Sequence, residues 1–282
     1  MSEPIVLSHV QVKPVLQARQ EGASRAFTSL DLGLTVREVG LEPDGLALPD
    51  GQRLAWEHLH AIADNELTCF VIENSEANKI HRFSERLNRF YSLMPTRRAP
   101  TLLVSGIPMH RVQGTDPHQD TLQKIRTVVP LKGRVLDTCT GLGYTAIEAA
   151  RTAETVVTIE LDAAVLEVAR LNPWSRLLFE NPRIEQTIGN SFDEIEGFED
   201  GTFSRIVHDP PTFSLAGELY SGAFYRQALR VLKRGGCLFH YIGDLDSRSG
   251  RNVARGVVRR LQDAGFSRIV RRPEAFGVVA YK

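Results

Sequence analysis

The chain has 282 residues, 42% of them apolar, and its 34 Lys plus Arg are balanced by 34 Asp plus Glu. That length exceeds one typical compact domain, the composition excludes a disordered or fibrous chain, and zero formal charge excludes a polycation that coats nucleic acid wholesale while permitting local basic patches. Cys69, Cys139 and Cys237 are far apart and form no CxxC pair, and the histidines show no ligand spacing, so a disulfide framework and a metal site are both disfavoured.

The start, MSEPIVLSHVQVKP, lacks a basic leader, and no stretch reaches the roughly 18 apolar residues of a membrane span, so a cytoplasmic protein with no membrane partner is expected. Residues 1–112 read as a small β-rich or α+β substrate-binding domain. SLDLGLTVREVGLE and LPDGQRLAW are strand–turn–strand patterns, EHLHAIAD is a short helix, and LTCFVIE is a buried strand. From Lys79 to Arg111 there are seven Lys or Arg and one acid, Glu85. Arg82, Arg86 and Arg89 there alternate with Phe83, Phe90 and Tyr91. Arginine interleaved with aromatics suits a single-stranded or loop RNA surface, and a solvated basic helix face over a Phe/Leu core is the plainer alternative.

From residue 113 onward, strands alternate with amphipathic segments of helix length. GRVLDTC, TVVTIE, RIEQTIG, SRIVHD and GCLFHYI are the strands, and FSRIVRR with FGVVAYK forms a closing hairpin at the sheet edge. This alternation predicts an α/β fold, a doubly wound parallel sheet of Rossmann-like type. A second basic run, Arg248–Arg272, contains the helix NVARGVVRRL and reads as the exposed face of an outer helix.

Three successive strand ends carry candidate ligand chemistry. VLDTCTGLGYTA ends a strand at Asp137 and turns through Gly141 and Gly143 into a helix, whose N-terminal N–H groups are free to meet a ligand. The next strand ends at Glu160, 19 residues after Gly141, placed to accept from both hydroxyls of a ribose. The third ends in GNSFDEI, where Asn190 can address an adenine edge. Open α/β sheets bind ligands on this rim, and an acid at the second strand points to a nucleoside-bearing cofactor. The fourth strand runs into HDPPTFS. Prolines at 210 and 211 stiffen the turn, so that the Asp209 carboxylate and the Pro210 carbonyl become fixed acceptors for an exocyclic amine, while Phe213 can stack on a flat base.

The ordered set DTCTGLG, TIELD, GNSF and HDPPTF resembles a class I S-adenosylmethionine-dependent methyltransferase over residues 113–282, which implies a seven-stranded sheet and S-adenosylmethionine as cofactor. The resemblance implies that Asp137, Thr138, Gly141, Gly143 and Tyr144 line the methionine side, Glu160 and Leu161 the ribose, and Asn190 with Ser191 the adenine. TDPHQDTLQKI resembles the extra helix that closes over the methionyl end, with Asp116 as its cap and Asp120, Thr121 and Lys124 as contacts. The D-P-P turn is similar to that of amino-methyltransferases, where Asp209, Pro210 and Phe213 are catalytic and Pro211 and Tyr220 border the substrate; Thr212 stands where those enzymes place an aromatic, and Cys139 where a glycine is common. NPWSRLLFE, DPPTFSLAGELYS, GGCLFHY and GVVAYK extend the resemblance to an archaeal group with a member that forms N4,N4-dimethylcytidine in ribosomal RNA. The implied partner is RNA and the implied target a cytidine N4 amine. Guanine N7 and adenine N6 are alternative targets, and a polyamine aminopropyltransferase is the alternative of another class, since GELYSGAFYRQALRVLKRGG is similar to those enzymes. Carbon-5 chemistry needs a thiolate, and no cysteine lies beside the D-P-P turn in sequence.

Overall fold

The computed structural model describes residues 4–245 and 247–282. The chain divides into two compact units, Met1–His118 with Ala164–Arg176, and Gln119–Ala163 with Leu177–Lys282.

The first unit is built from short antiparallel sheets and two early helices. The helix His9–Gln20 was not expected from the β-like texture of the N-terminus. Its start is nevertheless written in the sequence: Ser8 and Gln11 form a capping box, with the Ser8 N–H donating to Gln11 Oε1 at 3.1 Å. Trp56–Ala63 is the second helix, as anticipated. The basic segment is a sheet and not a helix: His81–Ser84, Arg89–Met94, Thr101–Val104 and Ile107–Pro108 pair in a four-stranded antiparallel meander. Strand geometry turns alternate residues outward, so Tyr91 and Leu93 are buried while Phe90 and Phe83, directly opposed across the pair, are 44% and 56% exposed.

In the second unit the strands are β1 (Arg134–Asp137), β2 (Thr155–Glu160), β3 (Ile184–Ile188), β4 (Phe203–His208), β5 (Leu232–Tyr241), β6 (Arg268–Arg272) and β7 (Gly277–Tyr281). They form one sheet in the order β3-β2-β1-β4-β5-β7-β6, parallel except for β7, which runs antiparallel to both β5 and β6. The closing hairpin is thus present, with β6 at the sheet edge and β7 inside. Near-continuous apolar runs such as Val156–Ile159 and Leu238–Phe239 are buried, as strands covered on both faces require.

From Pro117 onward the helices, in chain order, are α1 (Pro117–Arg126), α2 (Tyr144–Ala149), α3 (Ala163–Arg170), α4 (Arg176–Glu180), α5 (Ser191–Glu194), α6 (Gly222–Val231) and α7 (Arg248–Asp263), of which α3 falls in the first unit from Ala164 on. Phe224, Tyr225, Ala228 and Val231 of α6 and Val257 and Leu261 of α7 join Leu136, Ile206, Leu238 and Val278 of the sheet in one core. At about 25 cal/mol per Å² of apolar surface, each such aliphatic or aromatic side chain contributes roughly 1.5–3 kcal/mol on burial. Among the described residues no helix is long and apolar enough to cross a membrane.

Candidate active site

The parallel strands β1, β2, β3 and β4 all end on the same rim. Asp137, at the end of β1, is fully buried. Its Oδ2 accepts from the hydroxyls of Thr158 at 2.8 Å and Thr145 at 3.1 Å, while Oδ1 has no hydrogen-bond partner among the described residues. Burial raises the Asp137 carboxyl to about 7, against the lowering by the two threonine hydroxyls. A buried acceptor left open at the head of a glycine loop is a place for a donor that arrives with a ligand. The loop itself supplies room. Gly141 has φ +52° and a Cβ built there would meet nothing within 4 Å, whereas one on Gly143, at φ +76°, would stand 2.7 Å from the Leu178 side chain.

Glu160 ends β2. Its Oε2 accepts from the Gly141 N–H at 2.9 Å and its Oε1 from the Asp162 N–H at 3.1 Å. Burial again pushes the carboxyl up to about 7. The Leu161 N–H is a third donor to this carboxylate, which leaves about one of its four acceptor sites for a hydroxyl. Asn190 caps α5 through its Oδ1, which accepts from Phe192 N–H at 3.0 Å, and its amide NH2 is turned to no donor role in that cap. Ser191 is buried and donates to the Thr138 carbonyl, tying the third strand end to the first. Thr138 and Tyr144 are buried and Leu161 is half-buried. The open carboxylate oxygen of Asp137, the clear space at Gly141 and the acid at Glu160 fit the amino and ribose groups of S-adenosylmethionine.

After β4 comes the D-P-P turn. The Asp209 side chain is 18% exposed, and its Oδ2 accepts from the Lys124 ammonium at 2.6 Å. Lys124 is 1% exposed and lies 2.8 Å from Asp120 Oδ2, one helical turn away on α1. Burial alone would drive the ammonium toward neutrality, but the charges of Asp209 and Asp120 outweigh it and hold Lys124 above the ordinary lysine value. The ammonium also stands 4.4 Å from the centre of the Tyr241 ring. The α1 segment expected over the methionyl end therefore does more than supply contacts: it delivers a buried cation to the carboxylate of the turn. Its predicted start is also present, with Asp116 Oδ1 accepting from the His118 N–H at 3.0 Å.

Behind the turn lies a buried aromatic wall. His208 donates through Nε2 to the Leu219 carbonyl at 2.9 Å, which assigns Nδ1 as the acceptor for the Thr138 hydroxyl at 2.7 Å. Burial lowers its imidazole to about 3, so it is neutral and serves as packing, not as a base. His240 lies beside it and meets the Tyr225 hydroxyl at 2.8 Å. Tyr225 is in the core and out of reach of a substrate. Tyr220 is 2% exposed and uses its hydroxyl to donate to the Pro211 carbonyl at 2.9 Å. Phe213 is 55% exposed and stands edge-on to Tyr220, with ring centres 5.5 Å apart. Burial pushes all three thiols up, least for Cys237, and none is a ready thiolate.

Sequence reasoning missed the supports: Thr145 and Thr158 under Asp137, and the Thr138–His208 link between β1 and β4. Arg82, Arg86 and Arg89 belong to the first unit; Arg82 is bound by Glu167 at 2.8 Å.

Residues 114–243 match the methyltransferase small domain family, which uses S-adenosylmethionine as methyl donor. An uncharacterised protein of Methanocaldococcus jannaschii is 39% identical over 99% of this chain and 96% of its own length. The chain belongs to the class I S-adenosylmethionine-dependent methyltransferases. Its fold is shared with spermidine synthase from Thermotoga maritima (TM-score 0.57, 18% identity, covering 71% of this chain and 70% of that one) and with MNMC2 from Aquifex aeolicus (TM-score 0.53, 18% identity, covering 70% and 72%). At that identity the likeness concerns the fold alone.

Proposed function

We propose that this methyltransferase acts on an RNA base, namely the exocyclic N4 amine of a cytidine in ribosomal RNA. The observation that carries this reading is the Asp209 carboxylate, held on the cofactor rim by a buried ammonium and set in a turn stiffened by two prolines. Because Tyr220 takes the Pro211 carbonyl, the Pro210 carbonyl is the acceptor the turn offers beside Asp209. Two acceptors at fixed spacing suit the two N–H bonds of an aromatic amine, and Phe213 offers an exposed ring for the base face.

Asp137, Gly141, Glu160 and Asn190 would hold S-adenosylmethionine, which would supply a methyl group on a cationic sulfur; an amine nitrogen would take that methyl in one SN2 step as the neutral thioether leaves. The protein's own share is orientation. Asp209 and Pro210 align the amine and draw electron density onto its nitrogen, and Asp209 accepts or relays the proton released once the nitrogen is alkylated. With no thiolate at hand, chemistry through a covalent adduct at pyrimidine carbon 6 is disfavoured.

A polyamine substrate calls for acids that await a cation. Asp120 and Asp209 instead already enclose Lys124, which supports the base over the amine. The exposed Phe83–Phe90 pair among the arginines of the first unit supports a single-stranded RNA partner. The test is transfer of labelled methyl from S-adenosylmethionine to ribosomal RNA, transfer RNA or total protein, followed by digestion to nucleosides. Label in N4-methylated cytidine is expected. Label at guanine N7 or adenine N6 would move the target atom, and label confined to protein would remove the RNA reading.

A further inference from the structure

Apart from Arg260, whose Nε donates to the Tyr220 carbonyl at 2.7 Å, the described arginines of α7 have no part in the site above. Between Arg248 and Arg272 the chain carries eight arginines and a single acid, Asp263, in a protein whose total charge is zero. On α7, Ala254, Val257 and Leu261 face the core, and this leaves Arg251, Arg255 and Arg259 exposed at four-residue spacing. They form a stripe about 12 Å long. Together with Arg271 of β6, Asn252, Val258 and Gln262 they line an open cleft of about 720 Å³. Arg259 meets Asp263 only at 3.9 Å with both side chains largely exposed, and Arg255 donates to the neutral Asn252.

The sheet register tells where this cleft opens. Arg271 pairs with Val278, Val278 with His240, and His240 with His208, the residue before Asp209. Arg271 is therefore one residue below the level of Asp209, on the rim that carries the cofactor residues, and it donates to the Leu245 carbonyl of the loop leaving β5. Three strand spacings separate β4 from β6, roughly 14 Å. From there α7 carries its stripe away from the rim, because a helix that follows a parallel strand runs back along the sheet.

We propose that the cleft between α7 and β6 is a track for the RNA phosphodiester backbone next to the target nucleotide. Guanidinium groups match phosphate oxygens bidentately, and a few nucleotides span the 14 Å from the turn to the mouth of the cleft. This rests on the RNA reading of the active site.

The test is anisotropy of a labelled single-stranded oligoribonucleotide of about 20 nucleotides against salt from roughly 50 to 200 mM, using the full chain. R255E/R259E is expected to weaken binding about tenfold or more and to flatten the log–log salt slope by about 1.4, two phosphate contacts on a single strand. R25E/R37E, an equal charge change in the first unit, is expected to leave the slope in place, and S-adenosylmethionine affinity is expected to stay within about twofold in both variants. Wild-type slope and affinity in R255E/R259E overturn the track, as does an equal loss in R25E/R37E or an absence of RNA binding by the wild type. Charge-sensitive binding through the cleft, without methyl transfer to any RNA, upholds the track and overturns the proposed substrate.

Discussion

Four carboxyl groups stand around one end of the seven-stranded sheet, in two pairs of opposite electrostatic character. Asp137 and Glu160 are supported by hydroxyl and N–H donors alone, and burial lifts both to about 7. Asp120 and Asp209 share the buried ammonium of Lys124. The first pair leaves a deficit of positive charge, which on the proposed reading a cationic cofactor would fill. The second carries its cation permanently and so presents a fixed, oriented acceptor whether or not a ligand is bound. One rim thus carries two kinds of carboxyl pair, set apart by the presence or absence of one lysine.

The largest effect expected from breaking this contrast is at Asp209. Asp209→Ala should lower methyl transfer by about 10²–10⁴, the range for a positioned acid–base group, while calorimetric S-adenosylmethionine affinity changes by less than about threefold. A parallel loss of cofactor binding would place Asp209 in the first pair instead. Lys124→Met strands buried carboxylates and should cost about 3–5 kcal/mol of stability in denaturant unfolding. Adding Asp209→Asn should restore part of it, and full stability in the single variant would mean that the ammonium is not what compensates these acids.

The pH response sharpens the comparison further. For a carboxyl raised in the folded protein, the stabilising contribution is complete below the ordinary carboxylate range near 4 and is lost as pH rises through about 7. The ligand-free protein should therefore lose thermal stability over that interval, and saturating cofactor should restore most above pH 7. Cofactor affinity should weaken below pH 7 by up to about tenfold per unit for each carboxyl that must ionise. Asp137→Asn should flatten both profiles, and an unchanged profile would remove Asp137 from the binding role.

The smallest effects separate two glycines two residues apart. Gly143→Ala forces a Cβ against Leu178 at a left-handed backbone position and should cost about 1–3 kcal/mol. Gly141→Ala, with open space beside it, should cost about 1–2 kcal/mol and should weaken cofactor binding more than Gly143→Ala does. Equal affinities in the two variants would show that the cofactor does not approach Gly141.

Much of the second unit was legible because its signals are local. A parallel strand covered on both faces reads as an unbroken apolar run, and a strand-to-helix turn that must adopt positive φ shows its glycines. Asp137, Glu160 and Asp209 could be singled out because each closes or directly follows such a strand, whereas Asn190 follows the mostly exposed edge strand β3 and stood out through the G-N-S turn. The first unit was less legible. The Ser8–Gln11 capping box is one short signal among β-branched neighbours that carry no helical pattern of their own, and the alternation in the basic meander competed with a helical reading until strand pairing showed Phe83 opposite Phe90.

In the second unit the sequence by itself determined the alternation of strands and helices, the glycine turn, and which acids terminate which strand, since each of these depends on residues within one or two turns of chain. Only the tertiary structure decided which acids are compensated. Lys124 and Asp209 are 85 residues apart, Thr158 reaches Asp137 across a strand pair, and the level of Arg271 with His208 exists only through three strand pairings. A charge's partner is set by distance in space and by exclusion of water, and neither is encoded at any single position of the chain.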